Sequence, residues 1–218
     1  MIEERDPTVS VRARFERFPA TVKGAFVIRG EDRDPHQVVL REVRVVAMGG
    51  GSRPLPMASL TLDVAPKQDL FVPFELQVSD LGPGWYGFEC DLEVDGTFAT
   101  YPGGKRFSVA WPRSTVRRGT IRVGREVRLG EGGRVRVEQV ECTGDSIKIG
   151  FAVSPPSAVS ARLLADGARI EVLDVEIDEA SGRGRIFAYP LFRVHEVLHI
   201  ELRGHGRDAE GTLDVRLP

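Results

Sequence analysis

The sequence predicts an all-β protein built as two tandem antiparallel β-sandwiches with very little helix. Three observations carry this. Apolar and polar residues alternate with a period of two in one segment after another, most clearly where Tyr86, Phe88, Cys90, Leu92 and Val94 face one way and Gly87, Glu89, Asp91 and Glu93 the other. Turn signals such as Asp95-Gly96 and Asp166-Gly167 separate these segments at short intervals. No 3.6-residue period persists long enough to form an amphipathic helix.

The 218 residues suit one large β domain or two of about 100 residues each. The stretch Ser108–Gly119 favours two. Phe107, Val109 and Trp111 alternate like the last core-facing residues of a strand, Pro112 ends the ladder because it has no N–H to donate, and a new alternating segment opens at Thr120. The expected domains are therefore residues 1–112 and 120–218, joined by an Arg-rich polar hinge at residues 113–119.

In the first half, Val9, Val11, Ala13 and Phe15 define one strand and Val22–Arg29 another. Arg29–His36 is a charged loop; Val38–Met48, Leu60–Val64 and Phe71–Val78 follow as strands. Pro73 marks the last of these as an edge strand or a bulge. In the second half, Ile147–Val153 is a strand closed by Pro155-Pro156. Ala158–Ala165 and Arg169–Val175 flank the Asp166-Gly167 turn, and Arg185–Phe192, Glu196–Leu202 and Leu213–Leu217 complete the chain. Each half holds about seven strands, the number and spacing of a Greek-key sandwich.

Asp80–Cys90, D-L-G-P-G-W-Y-G-F-E-C, resembles the corner of immunoglobulin-like domains where a Tyr precedes a buried Cys at the start of a strand. Here Tyr86 stands four residues before Cys90, not two, and no upstream Cys is present. The resemblance covers about eleven residues. It implies an immunoglobulin-like fold and no particular activity.

Composition excludes several classes. Hydrophobic residues make up 41% of the chain, enough for packed cores, and no apolar run approaches the roughly 18 residues of a membrane span. The net charge of −2 provides no global field for nucleic acid or anionic lipid. Arg supplies 26 of the 30 basic residues, a bias that fits a GC-rich bacterial-like genome. Cys90 and Cys142 fall one in each half, so neither domain holds an internal disulfide. Reduced thiols and an acidic start, Met1–Pro7, without a basic or apolar leader give a cytoplasmic expectation.

The motifs that suggest chemistry sit in the wrong context. His195-Glu-Val-Leu-His199 matches H-E-x-x-H, and His205 has the spacing of a third zinc ligand in metzincin-type proteases. On a helix, residues four apart share one face about 6 Å apart; on a strand they are about 13 Å apart, too far to chelate one ion. Leu198, Ile200 and Leu202 alternate with His199, Glu201 and Arg203 as a strand does, so no metal or other cofactor is expected. His195, His199 and His205 are metal candidates only for a protein that binds zinc. Gly144-Asp-Ser-Ile147 resembles the opening of GDSL-type hydrolases but leads into a strand, and the chain has no D-x-x-H.

One asymmetry remains. From Lys105 to Arg136 ten basic residues face only Glu126 and Glu131, and from Asp166 to Glu179 six acidic residues face only Arg169. Lys105, Arg106, Arg113, Arg117, Arg118 and Arg122 form the candidate binding cluster, and the acidic hairpin suits an unidentified protein partner or a second copy of the chain. Nucleic acid is the weaker choice, because few aromatics interleave with the charge. The expected function is a non-catalytic binding or assembly module acting through protein contacts. The alternatives are a zinc hydrolase using the H-E-V-L-H segment and a two-sandwich chaperone similar to the periplasmic pilus chaperones.

Overall fold

The structure, a computed structural model, describes residues 8–130, 132–204 and 209–218. The chain forms two compact units, the first ending at Val109 and the second running from Ala110 to Pro218. Both are immunoglobulin-like antiparallel β-sandwiches. Among the described residues there is no α-helix, only a 3-10 turn at Val78–Asp80, and no helix long and apolar enough to cross a membrane.

In the first unit, β1 (Val9–Arg17), β2 (Thr21–Gly30) and β6 (Asp69–Gln77) form one sheet in the order β1-β2-β6. The second sheet has the order β4-β3-β7-β8, from β3 (His36–Ala47), β4 (Ser52–Pro54), β7 (Gly84–Val94) and β8 (Thr97–Pro102). There β5 (Leu60–Val64) pairs with β3, and β9 (Phe107–Val109) with β7. The alternation read from the sequence is the alternation of burial: Val9, Val11, Ala13 and Phe15 point inward from β1, and Tyr86, Phe88, Cys90, Leu92 and Val94 from β7. Pro73 lies on β6, an outer strand of its sheet, where a missing N–H costs no ladder bond. The Tyr86 hydroxyl donates to the Gly82 carbonyl at 2.8 Å, which pins the turn before β7 as a tyrosine corner does. Between the sheets, Phe26 stacks on Phe74 with ring centroids 4.6 Å apart and meets Phe88 edge-on at 5.5 Å; Phe15 and Phe107 close around Phe88.

In the second unit, β10 (Gly119–Leu129), β11 (Gly133–Cys142), β12 (Ile147–Ser154), β15 (Val172–Ile177) and β16 (Arg183–Ala188) form a five-stranded sheet in the order β10-β11-β12-β16-β15. Facing it, β13 (Ser160–Ala165), β14 (Ala168–Ile170), β17 (Val197–Arg203) and β18 (Glu210–Arg216) run in the order β14-β13-β17-β18. Asp95-Gly96 and Asp166-Gly167 both adopt positive φ at both positions, the geometry that tight two-residue hairpins need.

The structure departs from the sequence expectation in the extent of two strands and in the place of Trp111. The run Arg169–Val175 is not one strand: it breaks at Glu171, leaving β14 in one sheet and β15 in the other, a corner that alternation does not reveal. The run Arg185–Phe192 ends at Ala188, because Pro190 cannot donate to a ladder. Trp111 does not close the first core. It belongs to the second unit, where it meets the rings of Tyr189 and Phe192 edge-on at 5.8 and 6.4 Å.

Candidate functional site

The segment expected to be a hinge, residues 113–119, is built into the second unit. Val116 is fully buried and bridges antiparallel to Phe192. The Arg117 amide donates to the Leu191 carbonyl at 2.7 Å, and the Arg193 amide to the Thr115 carbonyl at 2.9 Å. The reason lies in its pattern: one apolar residue, Val116, among polar ones is enough to anchor a short bridge against a complementary strand end.

That bridge brings three arginines to one cleft of about 490 Å³, lined by Arg117, Arg118, Arg193, Ile121, Cys142 and Pro218 among others. Arg117 is the half-buried wall. Its guanidinium donates to the carbonyls of Pro218, of Arg193 at 3.1 Å and of His195 at 2.5 Å. Arg193 Nε donates to the Val116 carbonyl at 3.3 Å. Arg118 lies over Gly144: a Cβ added there would stand 2.3 Å from Arg118 Nη2, so a side chain at this position would make the guanidinium shift. None of the three forms an ion pair among the described residues. The pairs of the second unit are Arg134–Glu126, Arg162–Glu201, Arg203–Glu210, and His199 with Glu201 and Asp214. Backbone oxygens thus hold the Arg117 and Arg193 guanidiniums in place at the cleft wall. Cys142 on its floor is buried, and burial raises its thiol pKa, so it is not poised as a nucleophile.

Of the residues singled out by sequence, the cleft unites Arg117 and Arg118. Arg122 is exposed further along β10, and Arg113 is exposed in the preceding turn. Lys105 belongs to the first unit, where it donates to the Phe15 carbonyl at 3.0 Å and sits over the Phe15 ring; Arg106 belongs there too. Arg193 went unnoticed in the sequence, since only the Val116–Phe192 bridge brings it to Arg117.

The histidines are not arranged as the zinc motif requires. His195 lies in the turn before β17, and its Nδ1 accepts from the Phe192 amide at 3.2 Å. His199 lies on β17, with Nδ1 bonded to Asp214 at 2.5 Å. His205 lies outside the described residues. The segment is strand and turn, so the helical spacing that would aim two imidazoles at one ion is missing. No group of three metal-ligating side chains occurs among the described residues. Ser146 hydrogen-bonds with Thr143 inside a turn, at 2.9 Å. Cys90 is fully buried, and burial pushes its thiol pKa up to about 12.

Two polar clusters in the first unit are internal. Arg44 holds Asp91 bidentately at 2.6 and 2.9 Å, and Thr100 donates to Asp91 at 2.7 Å. Burial opposes ionisation of Asp91, but these bonds outweigh it and hold its pKa below the usual carboxylate value. Asp91→Ala leaves Arg44 without its main partner, with an expected cost of about 2 kcal/mol in urea denaturation. Replacing both, as Arg44→Met with Asp91→Leu, should cost less than Asp91→Ala alone. The second cluster places the His36 ring between Asp95, 2.6 Å from Nδ1, and Asp32, 2.7 Å from Nε2.

No protein-family profile and no curated protein matches the chain. Among solved structures, it is similar to a conserved domain protein from Bacillus anthracis, with 12% identity and a TM-score of 0.35 over 98% of this chain and 87% of that one. Red sea bream transglutaminase gives 12% identity and a TM-score of 0.38 over 98% of this chain, which spans 32% of the transglutaminase. A marsupial T cell receptor gives 9% identity and a TM-score of 0.27, covering 97% and 63% of the two chains. No functional family emerges from these likenesses.

Proposed function

We propose that this chain is a non-catalytic binding and assembly module whose second unit seats an acidic protein segment in the Arg117–Arg118–Arg193 cleft. The observation that carries this reading is the convergence of three guanidiniums on one concavity with no Asp or Glu side chain paired to them among the described residues. A planar guanidinium suits bidentate binding of side-chain carboxylates. Two free cysteines, one buried in each unit, accord with action in a reducing cytoplasm.

The test uses a fluorescently labelled Glu-rich peptide at low ionic strength. Anisotropy should report saturable binding that weakens as salt rises. Arg118→Glu should weaken binding about tenfold, the scale of one close charge pair. Gly144→Ala changes no charge but pushes Arg118 aside, so it should weaken binding too while the fold is kept. Equal affinity in the wild type and both variants would refute the reading.

A further inference from the structure

We infer that the acidic segment taken by the cleft is the β15 edge of a second copy of this chain, so that copies join head to tail through their second units. This rests on the reading of the cleft given above. On β15 and its flanks Glu171, Asp174, Glu176, Asp178 and Glu179 are all exposed, and none forms an ion pair among the described residues. Arg183 and Arg185 on neighbouring β16 leave this edge with a clear acidic excess.

The cleft opens beside the start of β10, and β10 and β15 are the two outer strands of one sheet, β10-β11-β12-β16-β15. Four interstrand steps of about 4.8 Å place them roughly 19 Å apart. That is more than twice the Debye length of about 8 Å at physiological ionic strength. A copy therefore does not neutralise its own cleft with its own edge, and a second copy offers the complement. The contact runs through side chains and not through an added strand, because Asp174 Oδ1 already accepts from the Val175 amide at 2.8 Å on β15. Since the two surfaces differ, the contact is heterologous: each added copy presents a fresh cleft and a fresh edge, and growth does not stop at a dimer.

Sedimentation velocity of the full chain over a range of concentrations tests this. At low ionic strength the weight-average sedimentation coefficient should rise steadily with concentration. At about 1 M salt, where the Debye length is about 3 Å, it should return to the monomer value. Arg118→Glu alone and Glu176→Lys with Glu179→Lys should each hold the chain monomeric; all three sites are exposed, and unchanged circular dichroism checks the fold. An equimolar mixture of the two variants should associate and again grow with concentration, because the unaltered edge of Arg118→Glu meets the unaltered cleft of the double variant and the two altered surfaces complement each other as well. A chain monomeric at every concentration, an association indifferent to both reversals, or one that stops at a dimer would each overturn the inference. If the chain stays monomeric but the Glu-rich peptide still binds the cleft, only the head-to-tail contact falls. If the peptide also fails, the cleft reading falls with it.

Discussion

Phe26→Ala should destabilise the first unit by about 3–5 kcal/mol, the usual cost of emptying a fully buried phenylalanine site. Phe26 has no solvent exposure and lies at the middle of an aromatic cluster, stacked on Phe74 of β6 and edge-on to Phe88 of β7. It therefore joins the two sheets, and the hole left by Ala is lined by ring edges that cannot relax into it without breaking their own contacts with Phe15 and Phe107. Against a total stability of about 5–15 kcal/mol for a domain of this size, the loss is large. Hydrogen exchange read peptide by peptide checks it: protection of β2, β6 and β7 should fall by about a hundredfold or more, since each 1.4 kcal/mol is a factor of ten. Phe26→Leu keeps most of the volume and should lose much less. Unchanged protection in Phe26→Ala would show that the cluster is not what holds the sheets together.

The stability of the first unit should fall as pH rises past neutrality, and His36→Gln should abolish that dependence. Both ring nitrogens of His36 face carboxylates, Asp95 and Asp32, and Asp95 Oδ1 also accepts from the Gln37 amide at 2.9 Å. A neutral imidazole has one N–H and can donate to only one of them; the imidazolium donates to both. The bonds to Asp95 and then Asp32 accordingly raise the His36 pKa above 6.5, while the bond to His36 lowers the pKa of each carboxyl below its ordinary value. The folded state thus holds the imidazole proton more tightly than the unfolded state. The stabilisation is complete below pH 6.5 and is lost as pH rises through the raised folded value. For the two carboxyls it is present above their ordinary range and is lost in acid as pH falls through their lowered values. Thermal midpoints measured from pH 4 to pH 9 should be highest in the lower-middle range and decline on the alkaline side. In His36→Gln the alkaline decline should be absent, with the midpoint lowered near pH 6. A wild-type midpoint that holds level or rises between pH 6 and pH 9 would refute the clamp.

The two clusters, the aromatic one and the His36 one, differ in how far they can be read from the chain. Period-two alternation assigns Phe15, Phe74 and Phe88 to inner faces, because a strand sends successive side chains to opposite sides whatever its neighbours are; Phe26 lies in a strand apolar nearly throughout, so alternation gives it no face. The Asp95-Gly96 turn is equally legible, since few residue pairs accept positive φ at both positions. Nothing along the chain, however, announces that Asp32, His36 and Asp95 meet. That requires the β2–β3 loop and the β7–β8 turn to lie at one end of the sandwich, which strand pairing decides.

The same division runs through the candidate site. Sequence alone determined an all-β, immunoglobulin-like chain, an edge or a bulge at Pro73, a strand and not a zinc helix at His199, and a concentration of arginine between Lys105 and Arg136. Those are local properties, written in the alternation, the turn residues and the charge count. Only tertiary structure split that basic run, setting Lys105 against Phe15 while joining Arg117 and Arg118 to Arg193, some seventy-five residues further on. Only it placed the basic and acidic strands on opposite edges of one sheet. The physical reason is that charge carries no register: Coulomb attraction is insensitive to which residues bring the charges near, whereas hydrogen-bonded pairing and the burial of Val116 against the end of the Phe192 segment fix who stands beside whom.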